Sequence, residues 1–328
     1  MSALFARRSH LPGTLLNVSF ATVGTMMFGK RADEAESKRI VDVALDRGIN
    51  FFDTASMYQY GESERILGRL VKDRRDECVI ATKVGVGKDD DGNLEGLSPK
   101  ALRRAIDKSL ADLGLDTVDI WYFHVPDRKV PIEESLSTMA EIIAAGKARY
   151  FGLSNFGAWQ CEEILRLCAQ HDWPRPVISQ MIYNPLMRQI EYEYTRFVES
   201  RDMFLTVYNP LAGGLLTGKY ASLADDRKGG RFSEDNALYR NRYWSKRFMD
   251  GMLALNQIAD DEGMSLTHLS LLWVAHQPFV HNILLGPSNV QQFEDCLAAG
   301  ESELTDAALE RITLCLDEFE GTDASYAR

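Results

Sequence analysis

The chain has 328 residues, 45% of them hydrophobic, and a formal net charge of −11. That acidic balance excludes long-range attraction to phosphate, and with it a general nucleic-acid or membrane-surface binder. No apolar run approaches the roughly 20 residues of a membrane span, and the start Met-Ser-Ala-Leu-Phe-Ala-Arg-Arg lacks signal-peptide order.

Five cysteines, at 78, 161, 168, 296 and 315, form no Cys-x-x-Cys pair. This points to a reducing, cytoplasmic setting with thiols acting as small hydrophobes, and no His/Cys cluster suggests a metal. Pro12-Gly13 is a turn signal, so a short hairpin or cap is expected first. Val18 to Phe28 reads as the first strand, ended by Gly29. Asp33 can cap a helix with Ile40, Val41, Ala44 and Leu45 on one face, stopped by Gly48. The second strand is Ile49 to Thr54, followed by a polar loop and a helix from Glu62 to Lys72. The third strand, Cys78 to Val84, leads into a glycine-rich loop, Gly85 to Gly96. Ser98-Pro99 is a cap with proline at the first helical position. Leu102, Ile106, Leu110 and Leu113 then recur at helical spacing.

The fourth strand is Val118 to Val125, and its helix carries Ile132, Leu136, Met139 and Ile143. The fifth strand, Tyr150 to Leu153, runs into Ser154-Asn155-Phe156. Helices are expected near 159–170 and 191–200, with strands Val177 to Met181 and Met203 to Tyr208 as the sixth and seventh. From Asn209 to about Arg247 periodicity is lost, and a loop of that length in a compact domain is usually functional. Helical patterns return near Phe248 and at Ser265 to His276. The eighth strand is Asn282 to Leu285, followed by Gly286-Pro287-Ser288, a helix, and a last helix near 305–318. Eight strand–helix units predict parallel strands closed into one (β/α)8 TIM barrel spanning 1–328. An open doubly wound sheet would need Gly-x-Gly-x-x-Gly after its first strand, and the chain has none there.

In a barrel, function gathers where strands end. Asp53, Tyr58, Lys83 and His124 fall at the ends of the second to fourth strands. Ser154, Asn155, Gln180, Tyr208 and Ser288 fall at the ends of the fifth to eighth. A lysine ammonium about 4 Å from a phenol, at an effective dielectric near 20, supplies up to roughly 4 kcal/mol, or about 3 pKa units. Lys83 is therefore expected to pull Tyr58 down toward neutral pH, where a general acid works best. Asp53 would hold Lys83 charged, and neutral His124 would donate to a carbonyl oxygen. That set suits adding hydride to an aldehyde or ketone and protonating its oxygen. Each residue also has a plainer reading: a packing tyrosine, a structural ion pair, a core histidine. Spacing by itself leaves the two readings open.

The motifs resemble the aldo-keto reductase superfamily over essentially the whole chain. The matching residues are Asp53-Thr-Ala-x-x-Tyr58, Lys83 and His124, with Gly152-Leu-Ser154-Asn155-Phe and Gln180 where the family hydrogen-bonds the nicotinamide amide. Three segments are similar to the aflatoxin-aldehyde and succinic-semialdehyde reductase subfamily. They are Tyr208-Asn209-Pro210-Leu211-Ala-Gly213-Gly214-Leu215-Leu-Thr-Gly218-Lys219-Tyr, Tyr239-Arg-Asn-Arg242-Tyr-Trp, and the ending Tyr326-Ala-Arg328. The resemblance implies NADPH and, typically, a homodimer. It also implies that Tyr208 stacks on the nicotinamide and that 209–219 wraps the pyrophosphate. Tyr239, Arg242 and Arg328 would line the pocket for a carbonyl substrate, an arginine reading a carboxylate. Ser288, Asn289, Gln292 and Asp295 fit the adenosine-phosphate segment. Asp295-Cys296 departs from the Glu-Asn of many members, which loosens the preference for NADPH over NADH.

The alternative implied by the superfamily is a nicotinamide-sensing regulatory barrel similar to ion-channel β-subunits, with tight cofactor retention and little turnover. The 239–244 segment favours a reductase.

Overall fold

Each apolar run that follows a helix pairs with the run before it. The result is a closed barrel of eight parallel strands in the computed structural model, which describes residues 3–88, 92, 94–225, 231–233 and 236–321. A single helical turn, α1 (Ala3–Ala6), leads to an antiparallel hairpin of β1 (Arg8–His10) and β2 (Asn17–Ser19). The barrel strands are β3 (Ala21–Gly24), β4 (Phe51–Asp53), β5 (Val79–Val84), β6 (Val118–Phe123), β7 (Ala148–Ser154), β8 (Ile178–Ile182), β9 (Phe204–Tyr208) and β10 (Asn282–Leu285). Between them run α2 (Glu34–Asp46), α3 (Glu62–Val71), α4 (Pro99–Leu113), α5 (Ile132–Ala144), α6 (Ala158–His171) and α7 (Tyr194–Arg201). The β9–β10 connection holds α8 (Ala237–Tyr243), α9 (Lys246–Asp261) and α10 (Leu266–His276). After β10 come α11 (Val290–Ala298) and α12 (Asp306–Glu320). The (β/α)8 expectation is met, with the C-terminal helices added outside.

The helix starts follow the predicted chemistry. Asp33 accepts a hydrogen bond from the Glu36 N–H at 2.8 Å, and Ser98 accepts from the Ala101 N–H at 3.3 Å ahead of Pro99. Both satisfy N–H groups that a helix start leaves unpaired.

The predicted first strand, Val18 to Phe28, is not one strand. Val18 and Ser19 finish the hairpin, Ala21–Gly24 joins the barrel, and the chain turns at Thr25, where Phe28 N–H bonds back to the Thr25 carbonyl at 2.9 Å. Val18, Phe20, Met27 and Phe28 are all buried. The apolar run therefore continues around two corners, because hydrophobicity reports burial and not extension. The stretch 209–247 also holds more structure than its pattern suggested. It contains a 3₁₀ segment, Ala212–Thr217, and the two-turn helix α8.

Two cores result from strand alternation. Phe51, Ala81, Ile120, Tyr122, Ile178 and Phe204 fill the barrel interior together with Leu11, Leu16 and Val18 of the hairpin. Phe52, Ile80, Trp121, Phe123, Phe151 and Leu205 face the helices. The hairpin thus caps the amino-terminal end of the barrel. The same period of two aims Asp53 and Lys83 inward, each two residues above an inward apolar neighbour, at the open end.

Candidate active site

Asp53 is the last residue of β4, and Lys83 lies one position before the end of β5. Both are buried to within 1% exposure. They form a direct ion pair between Lys83 Nζ and Asp53 Oδ1. Lys83 Nζ also donates to the Thr54 carbonyl at 2.9 Å, and Gln180 Nε2 of β8 donates to Asp53 Oδ2 at 2.9 Å. Burial pushes the Asp53 carboxyl up and the Lys83 ammonium down, and the attraction between them opposes both shifts. A buried pair with its remaining hydrogen bonds filled in this way persists where an isolated charge would not.

Tyr58 opens the turn Tyr58–Gly61 just beyond β4. Its backbone bonds to the Ala55 carbonyl at 3.0 Å, and the chain then passes through left-handed Gln59, Tyr60 and Gly61, with φ of 48°, 55° and 86°. Two successive non-glycine residues in that region store backbone strain, a feature found around functional loops. The Tyr58 ring stands edge-on to His124, with centroids 6.2 Å apart, and Lys83 Nζ lies 5.3 Å from its centroid.

His124 follows β6 directly and is anchored by its N–H to the Val84 carbonyl at 2.9 Å. Burial, and secondly the Lys83 charge, pushes the imidazole down to about 3. It is a neutral ring at physiological pH, as expected.

The expectation for Tyr58 is corrected. Its phenol is held well above the usual range, by burial first and then by the Asp53 charge, with Tyr239 adding to the push and Arg231 opposing it. Lys83, paired with Asp53 and the Thr54 carbonyl, is not among the influences that lower it. Tyr58 is therefore a firmly protonated phenol.

The remaining strand ends form a hydrogen-bonded chain. Ser154 Oγ donates to the Gln180 carbonyl at 3.0 Å. Asn155 Nδ2 donates to Ser154 Oγ at 3.0 Å and to the His124 carbonyl at 2.9 Å. Tyr208 OH donates to Asn155 Oδ1 at 2.7 Å. Asn155 takes a left-handed φ of 64°, which asparagine tolerates better than most residues.

Beyond Tyr208, the segment from Asn209 to Lys219 has the make-up of an anion cradle. Asn209, Ala212, Gly213, Gly214 and Gly218 hold φ of 58°, 48°, 68°, 98° and 71°. Ala212, Gly213 and Gly214 are left-handed in succession, and the Ala212 and Gly214 N–H groups bond back to the Asn209 and Leu211 carbonyls at 2.9 and 2.7 Å. A methyl at Gly213 would meet the Tyr239 ring at 2.6 Å, and one at Gly214 would sit 3.3 Å from Lys219 Nζ. Pro210 and Leu215 are buried beneath the segment, and Leu211 is partly so. Glycines that leave the backbone uncovered, with Lys219 beside Gly214, fit the pyrophosphate of a dinucleotide.

Ser288, Asn289 and Gln292 gather at the start of α11. Asn289 caps the helix, and Gln292 Oε1 accepts from Ser288 N and Oγ at 3.1 and 2.8 Å. Two findings there were not foreseen. The Val290 N–H is taken by the Glu36 carboxylate of α2, and Asp295 turns toward His268 Nε2 of α10, 3.3 Å away.

Tyr239 and Arg242 lie on α8. Arg242 stands 6.0 Å from the Tyr243 ring centroid, and its charge partly offsets the burial that pushes Tyr208 up to about 12. Arg328 lies outside the described residues. Sequence reasoning missed Arg231, which donates to the Tyr239 hydroxyl at 2.9 Å, lies over that ring, and acts on Tyr58. No periodicity marks it, since it sits in an irregular loop. Among the described residues, no group of three or more His, Cys, Asp or Glu side chains could hold a metal, and no helix is long and apolar enough to cross a membrane.

Residues 22–317 match the model of the aldo/keto reductase family. The chain belongs to that family. By fold and kinship it is an NADP(H)-dependent oxidoreductase. It is 36% identical over 306 residues to aflatoxin B1 aldehyde reductase member 2 of Rattus norvegicus, covering 88% of this chain and 80% of the relative. It is 34% identical over 302 residues to aldo-keto reductase family 7 member A3 of Homo sapiens, covering 86% and 88%. A probable voltage-gated potassium channel subunit beta of Arabidopsis thaliana is 34% identical over 298 residues, covering 87% and 88%. The family thus includes both enzymes and channel subunits at similar distance from this chain.

Proposed function

We propose that this chain reduces small aldehydes and ketones to alcohols with NADPH. The observation that carries the reading is the buried Asp53–Lys83 pair beneath Tyr58, beside a neutral His124. Bound NADPH supplies the hydride that goes to the carbonyl carbon. His124 donates a hydrogen bond to the carbonyl oxygen and polarises it. Tyr58 gives its proton to that oxygen as the alkoxide forms. A phenol held above its usual range still performs this step, because an alkoxide is far more basic than a phenolate. The phenolate left behind is met by the Lys83 ammonium, a charge already in place when it is needed. Asp53 keeps that ammonium aimed.

Tyr208, Ser154, Asn155 and Gln180 position the nicotinamide, 209–219 the pyrophosphate, and Ser288, Asn289 and Gln292 the adenosine end. Glu36 and Asp295-Cys296 narrow the margin of NADPH over NADH, since a carboxylate beside the start of α11 repels an added phosphate. Arg242, and Arg231 with Tyr239, favour an aldehyde bearing a carboxylate, because a guanidinium fork matches that group.

The test is NADPH consumption with succinic semialdehyde and 4-nitrobenzaldehyde, alongside Tyr58→Phe. Turnover should fall at least a thousandfold in Tyr58→Phe while NADPH still binds. A preference for the carboxylated aldehyde that disappears in Arg242→Leu or Arg231→Leu supports the arginines. The kinship with channel β-subunits favours a second reading, a nicotinamide-retaining regulatory barrel. Tight NADPH binding without turnover of either aldehyde would put that reading first.

A further inference from the structure

The sequence Ile120-Trp-Tyr122-Phe-His124 reads as plain apolar strand, yet its inward residues alternate Ile120, Tyr122, His124. Tyr122 is fully buried inside the barrel. In the sheet its cross-strand neighbours are Lys83 on one side and Gly152 on the other. Gly152 has no room for a side chain, since a methyl there would lie 2.6 Å from Tyr122 Cε1 and 2.7 Å from Ile178. The Tyr122 ring thus occupies the space that a side chain at 152 would take. Its face lies 5.9 Å from Lys83 Nζ, while the Tyr58 ring lies 5.3 Å from the same atom. The ammonium is held between two aromatic rings, one at the mouth and one within the barrel.

The Tyr122 hydroxyl is enclosed near Thr206 and Gln180 without a hydrogen bond of ordinary geometry. Buried hydroxyls are normally paired.

We propose that Tyr122 is a positioning residue for Lys83. Its π-face stabilises the buried ammonium and keeps it beneath Tyr58, and Gly152 exists to admit that ring. A cation is attracted to an aromatic face most strongly when both are removed from water. The other titratable groups facing Lys83 are Asp53 on β4, Tyr58 on the following turn, His124 after β6, and Glu64 of α3 acting through the barrel wall. The role assigned to Lys83 rests on the reductase reading, but its placement between the rings does not.

The test compares three proteins with wild type: Tyr122→Phe, Tyr122→Leu, and a tetrafluorinated phenylalanine incorporated at position 122. The last keeps the shape of the ring and drains charge from its face. Lys83 is followed directly by NMR of ¹³Cε-labelled lysine across alkaline pH, with the signal assigned by Lys83→Met. A cation favoured by the ring titrates later, so removing the ring face moves the midpoint down. The fluorinated protein and Tyr122→Leu should titrate ~1 pH unit below wild type, and Tyr122→Phe with wild type. The alkaline limb of kcat should move by the same amount in the same two proteins, so that kcat on the descending limb falls roughly tenfold. Should Tyr122→Leu fail to fold, the isosteric fluorinated ring still decides. An unchanged Lys83 midpoint in the fluorinated protein, or a Tyr122→Phe shift as large as that of Leu, overturns the inference. Absent turnover in wild type would instead sink the reductase reading and leave the NMR result to judge Tyr122.

Discussion

Asp53 and Lys83 are joined so closely that neither can be lost alone. Asp53→Asn leaves an ammonium in the barrel without its counter-charge, which should cost ~3–5 kcal/mol in urea unfolding. Adding Lys83→Met to that variant should recover much of the stability but none of the turnover. Costs of Asp53→Asn and Lys83→Met that simply add in the double variant would mean the pair is not coupled. Glu64 is a second buried acid, with Thr82 Oγ1 donating to it at 2.6 Å and its other oxygen unpartnered. Burial raises it to about 7. Its folded value lies above the unfolded one, so the unfolded chain releases the proton first and stability falls as pH rises from about 4.5 to 7. His124 works the other way. Its folded value lies below the unfolded one, so stability falls as pH drops below about 6.5, by up to ~1.4 kcal/mol per pH unit. The two slopes oppose one another between pH 4.5 and 6.5. Glu64→Gln should therefore be more stable than wild type at pH 8, by at most ~3 kcal/mol, and should become acid-sensitive below pH 6.5. Identical pH profiles for the two proteins would refute this. The rim residues were legible because each is a polar interruption at a strand end. Tyr122 and Glu64 were not, since an aromatic inside a strand and a glutamate in an amphipathic helix look ordinary until their neighbours are known.

Elements meet more closely here than helix patterns reveal. Gly68 in α3 is buried against the end of α4, where an added methyl would lie 2.0 Å from the Leu113 carbonyl oxygen. In an exposed helix, Gly→Ala stabilises by roughly 1 kcal/mol. Here the sign reverses, and Gly68→Ala should destabilise by ~1–3 kcal/mol because backbone, unlike a flexible side chain, must move. An unchanged or raised Tm would show that the two helices can separate freely. Periodicity found the helices that cover the barrel, including the stripe Leu102, Ile106, Leu110 and Leu113. It missed α8, whose Leu238 is 63% exposed and whose inner face is aromatic, so no amphipathic stripe is written in it. It also merged β2 with β3, since Val18 and Val23 are equally buried in two different cores.

At the scale of the molecule, the eightfold rhythm was readable because each strand is punctuated by a helix cap or a glycine. The hairpin was foreseen from Pro12-Gly13, but its role as a floor was not, because Leu11 and Leu16 contact residues far along the chain. Removing residues 1–16 should strip both leucines from the interior cluster. We expect a loss of at least ~3 kcal/mol and new binding of an apolar dye, while an unchanged urea midpoint would show the floor to be dispensable. The closure of the barrel has a different consequence, one that concerns how the chain is made. The short strand β10 pairs with both β3 and β9, with Ile283 set against Ala21 on one side and Val207 on the other. A ribosome delivers the amino-terminal edge early and this keystone near the end. Throughout most of translation two strand edges stay open, ready to join the wrong partner. A message cut short before codon 282 would yield not a weakened enzyme but an unsealed sheet, and its fate is degradation or aggregation.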